Sequence, residues 1–271
     1  MISIKELRIK TQHSHPNWNN QPKGLIFARF FSIYITRLIL LTSITPNTIT
    51  IFGILFAVIS SYLIIQGHLF IASFFIFITI LIDFSDGEVS RYRNQSSLEG
   101  IYLDKVYDFM VRPILVSGVS IHNIIEYQNI YSYITGFIFV ISALVYPLVV
   151  EYAKTITINE NILKNLDKKN HIHKSNHIPI RQKESLIKIN LKKILSFYDF
   201  PNIFFLLIIV LMITSYIINF TSLKFDIINA YVSLYSITYP LIIIFFILNN
   251  VKQKRIESEF HREYKNTISK L

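Results

Sequence analysis

Four aspartates lie at regular spacing in residues 83–108, between two strongly apolar runs. Asp83 and Asp86 are three residues apart, which places both on one face of a helix. Asp104 and Asp108 are four residues apart and share a helix face for the same reason. Because acidic side chains close to a bilayer are costly, they are usually functional. The spacing therefore predicts a helix, a loop and a second helix that bring four carboxylates together.

Clustered carboxylates repel one another, and a divalent cation removes that repulsion. Mg²⁺ or Mn²⁺ prefers oxygen ligands and shares its sites with substrate phosphates, and two such ions suit in-line displacement at phosphorus. Gly87 has no side chain, so a phosphate or nucleotide can approach the backbone there, and Gly100 is its counterpart on the second helix. Arg91 can grip a phosphate through its planar fork. The residues alone predict metal-dependent phosphoryl chemistry at a membrane surface.

The elements that position these residues are predicted to be membrane helices. The chain of 271 residues is 52% hydrophobic with a mean hydropathy of +0.43. Several apolar runs approach the roughly 20 residues needed to cross a bilayer. The prediction is an all-α bundle of six transmembrane helices. The runs are residues 48–65, 68–82, 97–121, 131–150, 202–219 and 227–248.

The segments around the spans are polar or amphipathic. Residues 1–22 are polar and predicted to be irregular. Residues 23–43 predict an amphipathic helix in the cytoplasmic interface, with Lys23, Arg29 and Arg37 facing the headgroups. The predicted organisation is a polar N-terminus with the interfacial helix at 1–46, a six-span domain at 47–251 with a basic insert at 155–195, and a basic tail at 252–271.

The charge distribution predicts the orientation in the membrane. The net charge is +10, and 24 of the 27 Lys and Arg residues lie in segments that six spans would place on one side. The positive-inside rule then puts both termini and the aspartates in the cytoplasm, as in a prokaryotic cytoplasmic membrane. Anionic lipid is the expected partner of these juxtamembrane charges, rather than nucleic acid. The chain has no cysteine, which excludes disulfide and thiol chemistry.

The spacing also carries a family resemblance. Asp83-x-x-Asp86-Gly87-x-x-Ser90-Arg91, eight residues, Gly100, three residues, Asp104, three residues and Asp108 resembles the signature of the CDP-alcohol phosphatidyltransferase family. The family has Ala where this chain has Ser90. The segment TPNTIT, residues 45–50, is similar to a second segment common in the family.

The resemblance implies an enzyme of phospholipid biosynthesis that transfers a phosphatidyl or other substituted phosphate group. Its donor would be a CDP-linked alcohol such as CDP-diacylglycerol, its acceptor an alcohol, and its second product CMP. Members of the family commonly form homodimers.

The same resemblance implies roles for the motif residues. Two Mg²⁺ or Mn²⁺ ions would be bound by Asp83, Asp86, Asp104 and Asp108. Asp108 would also act as the general base toward the acceptor hydroxyl. The cytidine diphosphate would be contacted by Asp83, Gly87 and Arg91, with Gly100 lining its pocket.

Four further residues are secondary candidates, each with a plainer interpretation. Arg112 can bind an acceptor phosphate or pair with Asp108, and pairing is favoured. Lys154 can contact the acceptor or simply end the fourth span in the cytoplasm. Asn47 is most simply a helix cap and Thr50 a helix residue, with a nucleotide contact as the alternative.

Two alternative functions stay open from the residues. A divalent-cation channel or transporter needs polar groups along a whole path, but the outer halves of the predicted spans lack charged residues. A transferase that uses a non-lipid CDP-alcohol differs from the first hypothesis only in its donor.

Overall fold

The computed structural model describes residues 3–13, 23–167, 202–220, 227–252 and 260, and all regular structure in these ranges is helical, as predicted. The helices are α1 (Ile4–Arg8, continued by a π-helical turn Ile9–His13), α2 (Lys23–Ile39), α3 (Pro46–Ile65), α4 (Leu69–Arg93), α5 (Leu98–Tyr127), α6 (Ile130–Pro147, continued by a π-helical turn Leu148–Tyr152), α7 (Ala153–Asp167), α8 (Asn202–Phe220) and α9 (Ile227–Lys252).

Four helices in the described ranges are long and apolar enough to cross a membrane: Pro46–Ile65, Leu69–Arg93, Ile130–Pro147 and Ile227–Val251. The predicted number of six was therefore wrong. The described apolar part of α8, Asn202–Ile217, is shorter. Helix α5 is long enough but too polar, because it carries charged residues in its first half and polar ones in its last turns: Glu99, Asp104, Lys105, Asp108, Arg112, His122, Asn123 and Glu126.

Helices α3 and α5 approach each other closely, and this contact fixes the position of the α5 aspartates relative to α3. A Cβ atom at Gly118 would lie 2.8 Å from the Cα of Ser61, so the two backbones nearly touch there. A Cβ atom at Gly53 would lie 2.7 Å from the ring of Tyr107. Tyr107 is fully buried, and its hydroxyl donates to the Thr79 carbonyl of α4 at 2.8 Å. Small residues thus allow close helix packing, as is common in membranes.

Residues 40–45 connect α2 to the start of α3. Thr45 is its N-cap, since the Thr45 hydroxyl accepts a hydrogen bond from the Thr48 amide at 3.3 Å. Pro46 lies in the first turn, where its missing N–H has no cost. The prediction that Asn47 caps this helix was therefore wrong by two residues, and its side chain is available for another contact.

A short loop between α4 and α5 turns the chain back, as predicted from the sequence. Asn94 ends α4 in the left-handed conformation, with φ of 54°. Ser97 caps α5 by accepting a hydrogen bond from the Gly100 amide at 3.0 Å. Arg93 donates to the carbonyls of Thr42 and Ile44 at 2.6 and 2.5 Å, which ties the start of α3 to the end of α4.

The N-terminal region differs from the prediction in two ways. Residues 4–13 are helical rather than irregular, and they pack on α2 and α4. In α2, Arg29 is 6% exposed and faces the protein, whereas Phe27 and Phe30 are exposed. The prediction that Arg29 faces the headgroups was therefore wrong. Arg29 is buried with Ser32 and Thr36 on the side of α2 that faces the protein. Residues 168–195 of the insert, and all of the tail after 252 except 260, lie outside the described residues.

Candidate active site

A cavity of about 230 Å³ opens where the first turn of α3, the end of α4 and the start of α5 meet. It lies at the end of the bundle where the loop at 94–97 and the N-terminal ends of α3 and α5 come together. Asp83, Asp108 and Arg112 are not among its lining residues. The cavity is lined by Pro46, Asn47, Thr50, Asp86, Gly87, Ser90, Arg91, Gln95, Ser96, Ser97, Gly100, Ile101 and Asp104.

Two larger grooves lie elsewhere on the bundle and have a different character. Their volumes are about 570 and 530 Å³, and no charged side chain lines either of them. Phosphoryl chemistry needs groups that bind or neutralise charge. The candidate site is therefore the smaller cavity, where acidic, basic and amide side chains converge.

Asp86 is the most firmly held carboxylate of the site. Its side chain is buried, and Oδ2 accepts a hydrogen bond from the Thr50 hydroxyl at 2.5 Å. A buried carboxylate is costly unless donors compensate it. Thr50 is therefore a direct partner of Asp86, a contact that the sequence interpretation of Thr50 as a plain helix residue missed.

Of the other three aspartates, Asp104 lines the cavity, whereas Asp83 and Asp108 do not. Asp83 is half-buried on α4, and the negative charges of Asp86, Asp108 and Asp104 are close enough to act on its carboxylate. On α5, Lys105 Nζ lies 3.5 Å from Asp104 Oδ2 and 3.4 Å from Asp108 Oδ2. These pairs are partly exposed and so stabilise the fold little.

The ammonium group of Lys105 responds to both of these carboxylates. Burial lowers its pKa, but the negative charges of Asp108 and Asp104 outweigh burial and raise the pKa above its ordinary value. Lys105 therefore carries its full charge at neutral pH and partly neutralises the α5 aspartates.

The donor chemistry of the site suits a hard divalent cation, because four carboxylates supply only oxygen ligands. In the ranges that the structure describes, however, no three acidic or His side chains converge closely enough to enclose an ion. Thr50 holds Asp86, while Lys105 holds Asp104 and Asp108. Enclosing an ion requires these carboxylates to rotate toward a common point. The metal site stays a prediction.

Arg91 and the two glycines of the motif shape the cavity wall. Arg91 Nε donates to the Thr11 carbonyl at 2.6 Å, a contact with the turn after α1 that no feature of the sequence predicts. A Cβ atom at Gly87 would lie 3.1 Å from Arg91 Nη1, so Gly87 makes room for this guanidinium. At Gly100 a Cβ atom would lie 3.3 Å from the Asn47 Oδ1 atom. The glycines thus allow close packing of the wall itself.

The remaining candidates lie away from the cavity. Arg112 is 5% exposed, its guanidinium lies 5.1 Å from the ring centre of Tyr146, and its Nε and Nη1 atoms have no hydrogen-bond partner among the described residues. These two nitrogens therefore do not form the favoured pair with Asp108. Lys154 lies in the first turn of α7.

We expect Thr50→Val to lower the free energy of unfolding by about 1–3 kcal/mol, because it leaves the buried Asp86 carboxylate without its donor. Denaturant unfolding in detergent, followed by circular dichroism, measures the change. Thr238→Val is the matched control, since the Thr238 hydroxyl is exposed and donates to the Leu234 carbonyl of its own helix. Equal losses in the two variants would contradict the assigned role of Thr50.

Comparison with solved structures identifies the fold. The chain is similar to phosphatidylinositol phosphate synthase (PgsA1) of Mycobacterium tuberculosis with CDP-DAG bound: 14% identity, 80% of this chain and 92% of the other covered, and a TM-score of 0.52. The apo form of that enzyme gives 15% identity, coverage of 80% and 94%, and a TM-score of 0.48. The comparison with curated proteins found no match.

Comparison with protein families extends from fold to function. The family model described as CDP-alcohol phosphatidyltransferase matches residues 43–256. The matched range contains the whole cavity and the four described helices that are long and apolar enough to cross a membrane. It excludes α1 and α2. The chain is therefore an integral membrane enzyme that belongs to the CDP-alcohol phosphatidyltransferase family.

Proposed function

We propose that this enzyme transfers the phosphatidyl group of CDP-diacylglycerol to the hydroxyl of an alcohol, releases CMP, and needs Mg²⁺ or Mn²⁺. The observation that carries the proposal is the cavity that Asp86, Arg91 and Asp104 line together, within the family-matched range. The bound CDP-DAG of the similar mycobacterial structure supports this donor. The enzyme would act in phospholipid biosynthesis.

The residues divide between binding the donor and activating the acceptor. Asp83, Asp86, Asp104 and Asp108 would hold the metal, which when bound stabilises negative charge on the diphosphate. Arg91 would bind a diphosphate oxygen from the wall of the cavity.

Asp108 would take the proton of the acceptor hydroxyl. The acceptor oxygen then bonds to the phosphorus that carries diacylglycerol, and the bond from that phosphorus to the CMP oxygen breaks. The acceptor proton ends on Asp108 and the electron pair leaves with CMP, so the step balances without a further reactant.

Release of CMP from CDP-diacylglycerol by the purified protein in detergent tests the proposal. We expect release to need Mg²⁺ or Mn²⁺, to stop on chelation and to resume when metal is restored. Asp108→Asn should lower the rate about a hundredfold or more, because a general base contributes that much. Glu126→Gln, an exposed carboxylate at the other end of α5, is the control. Release that persists without metal or in Asp108→Asn would contradict the roles assigned here.

The donor and acceptor are tested in the same assay. A non-lipid CDP-alcohol in place of CDP-diacylglycerol separates the two transferase hypotheses. A panel of acceptors, containing glycerol 3-phosphate, inositol phosphate and serine, identifies the alcohol.

We propose further that Arg112 binds a phosphate on the acceptor. Its buried guanidinium has two nitrogens without hydrogen-bond partners in the described ranges, one helical turn beyond Asp108. We expect Arg112→Leu to raise the KM for a phosphorylated acceptor roughly tenfold or more, since hydrogen bonds to charged groups contribute about 1.5–3 kcal/mol. The KM for the CDP-linked donor is the internal control. A variant that shifts both values equally would argue for a structural role instead.

We also propose that the cavity and both termini face the cytoplasm, because basic residues concentrate at the cavity end of α3 and α4. Six Lys and Arg residues precede residue 43, Arg91 and Arg93 end α4, and the turn between the two helices at residues 66–68 has neither Lys nor Arg. The chain has no cysteine, so single cysteines report sidedness. In intact cells a membrane-impermeant maleimide should label Gln66→Cys, in the turn between α3 and α4. It should label Ser43→Cys only after the cells are lysed. The reverse pattern would invert the orientation. The homodimer stays a prediction.

A further inference from the structure

Glu88 belongs to the motif segment but does not line the cavity. Its side chain is fully buried, and its carboxylate accepts hydrogen bonds from Gln12 Nε2 at 2.8 Å, Ser32 Oγ at 2.7 Å and Thr36 Oγ1 at 2.6 Å. Such donors offset the cost of burying a charge. Because they lie on the turn after α1 and on α2, Glu88 fastens both elements to α4.

The α1 segment is held by more than this one carboxylate. Gln12 Nε2 also donates to the Arg29 carbonyl of α2 at 2.7 Å. Lys10 Nζ lies 4.3 Å from the ring centre of Tyr92 on α4. Leu7 is 1% exposed. The segment is therefore docked through buried polar and apolar contacts together.

This docking reaches the cavity through the Thr11 carbonyl. Thr11 precedes Gln12, and its carbonyl accepts the hydrogen bond of Arg91 Nε at 2.6 Å. With Nε so engaged, the plane of the guanidinium is set, and Arg91 forms part of the cavity wall. The family match begins at residue 43, so this contact comes from a part of the chain that the family pattern does not include.

We propose that Gln12 and Glu88 are positioning residues, which hold the turn after α1 so that the Thr11 carbonyl orients Arg91 toward the diphosphate of the donor. The identity of that anion rests on the proposed function. An arginine fixed before binding loses less side-chain entropy when the ligand arrives, so its hydrogen bonds contribute more to affinity.

Affinity for CDP, measured by isothermal titration calorimetry in detergent with Mn²⁺, tests the link to Arg91. Gln12→Leu should weaken CDP binding roughly tenfold in the wild-type background, about the contribution of one hydrogen bond to a charged group. In the Arg91→Ala background it should have little further effect, because the two residues act through one interaction. Gln66→Leu, an exposed glutamine at the far end of α3, is the control. An equal loss in both backgrounds, or none, would overturn the proposal.

A second readout does not depend on nucleotide binding. In this cysteine-free chain, Leu7→Cys places one thiol at a buried position of α1. Maleimide labelling should be slow with Gln12 and Glu88 intact, and clearly faster when Gln12→Leu or Glu88→Gln is added. Unchanged labelling would show that these residues do not hold the segment. If the wild type binds no CDP, the proposed function fails, whereas the labelling still decides whether Gln12 and Glu88 hold α1.

Discussion

Carboxylates buried at the end of an apolar bundle need a donor or a cation each, and the architecture around the cavity follows from meeting that need. Asp86 receives the hydroxyl of Thr50 from α3. Glu88 receives donors from α2 and from the turn after α1. On the more exposed α5, a lysine between the two aspartates supplies the positive charge. The contacts of Asp86 and Glu88 join different helices, whereas the Lys105 pairs lie within α5. These two carboxylates of α4 therefore also help to assemble the helices around the site.

The parts of the fold that follow from local spacing could be predicted from the sequence. The aspartates, the loop at residues 94–97 and the start of α5 at Leu98 obey helical periodicity and capping rules. The docking of α1 could not be predicted, because it depends on Gln12 reaching a carboxylate 76 residues away. The number of spans was overestimated by two, because α5 is long but too polar and the described apolar part of α8 is too short. Arg29 was assigned to the headgroups from its charge, while its burial depends on the packing of α2 against α4.

The glycines show how a correct motif can carry an incomplete interpretation. Gly87 and Gly100 were expected to make room for a ligand, and both do line the cavity. Their nearest neighbours, however, are the Arg91 guanidinium and the Asn47 amide. A side chain at either position would first displace the wall and only then obstruct a ligand. The same residue type therefore serves the packing of the site as well as access to it.

Tyr107 and Gly118 lie eleven residues apart on α5, about three helical turns, so both face α3. The contact of the Tyr107 ring with α3 and the close approach of the backbones at Gly118 prevent α5 from rotating about its own axis. These two contacts therefore set the direction in which Asp104 and Asp108 point. Substitutions on the outward side of α5 leave this rotational phase intact, whereas an inserted or deleted residue between the two points would turn one end by about 100° relative to the other. The α5 segment from 107 to 118 must therefore keep its residue count for both contacts with α3 to form.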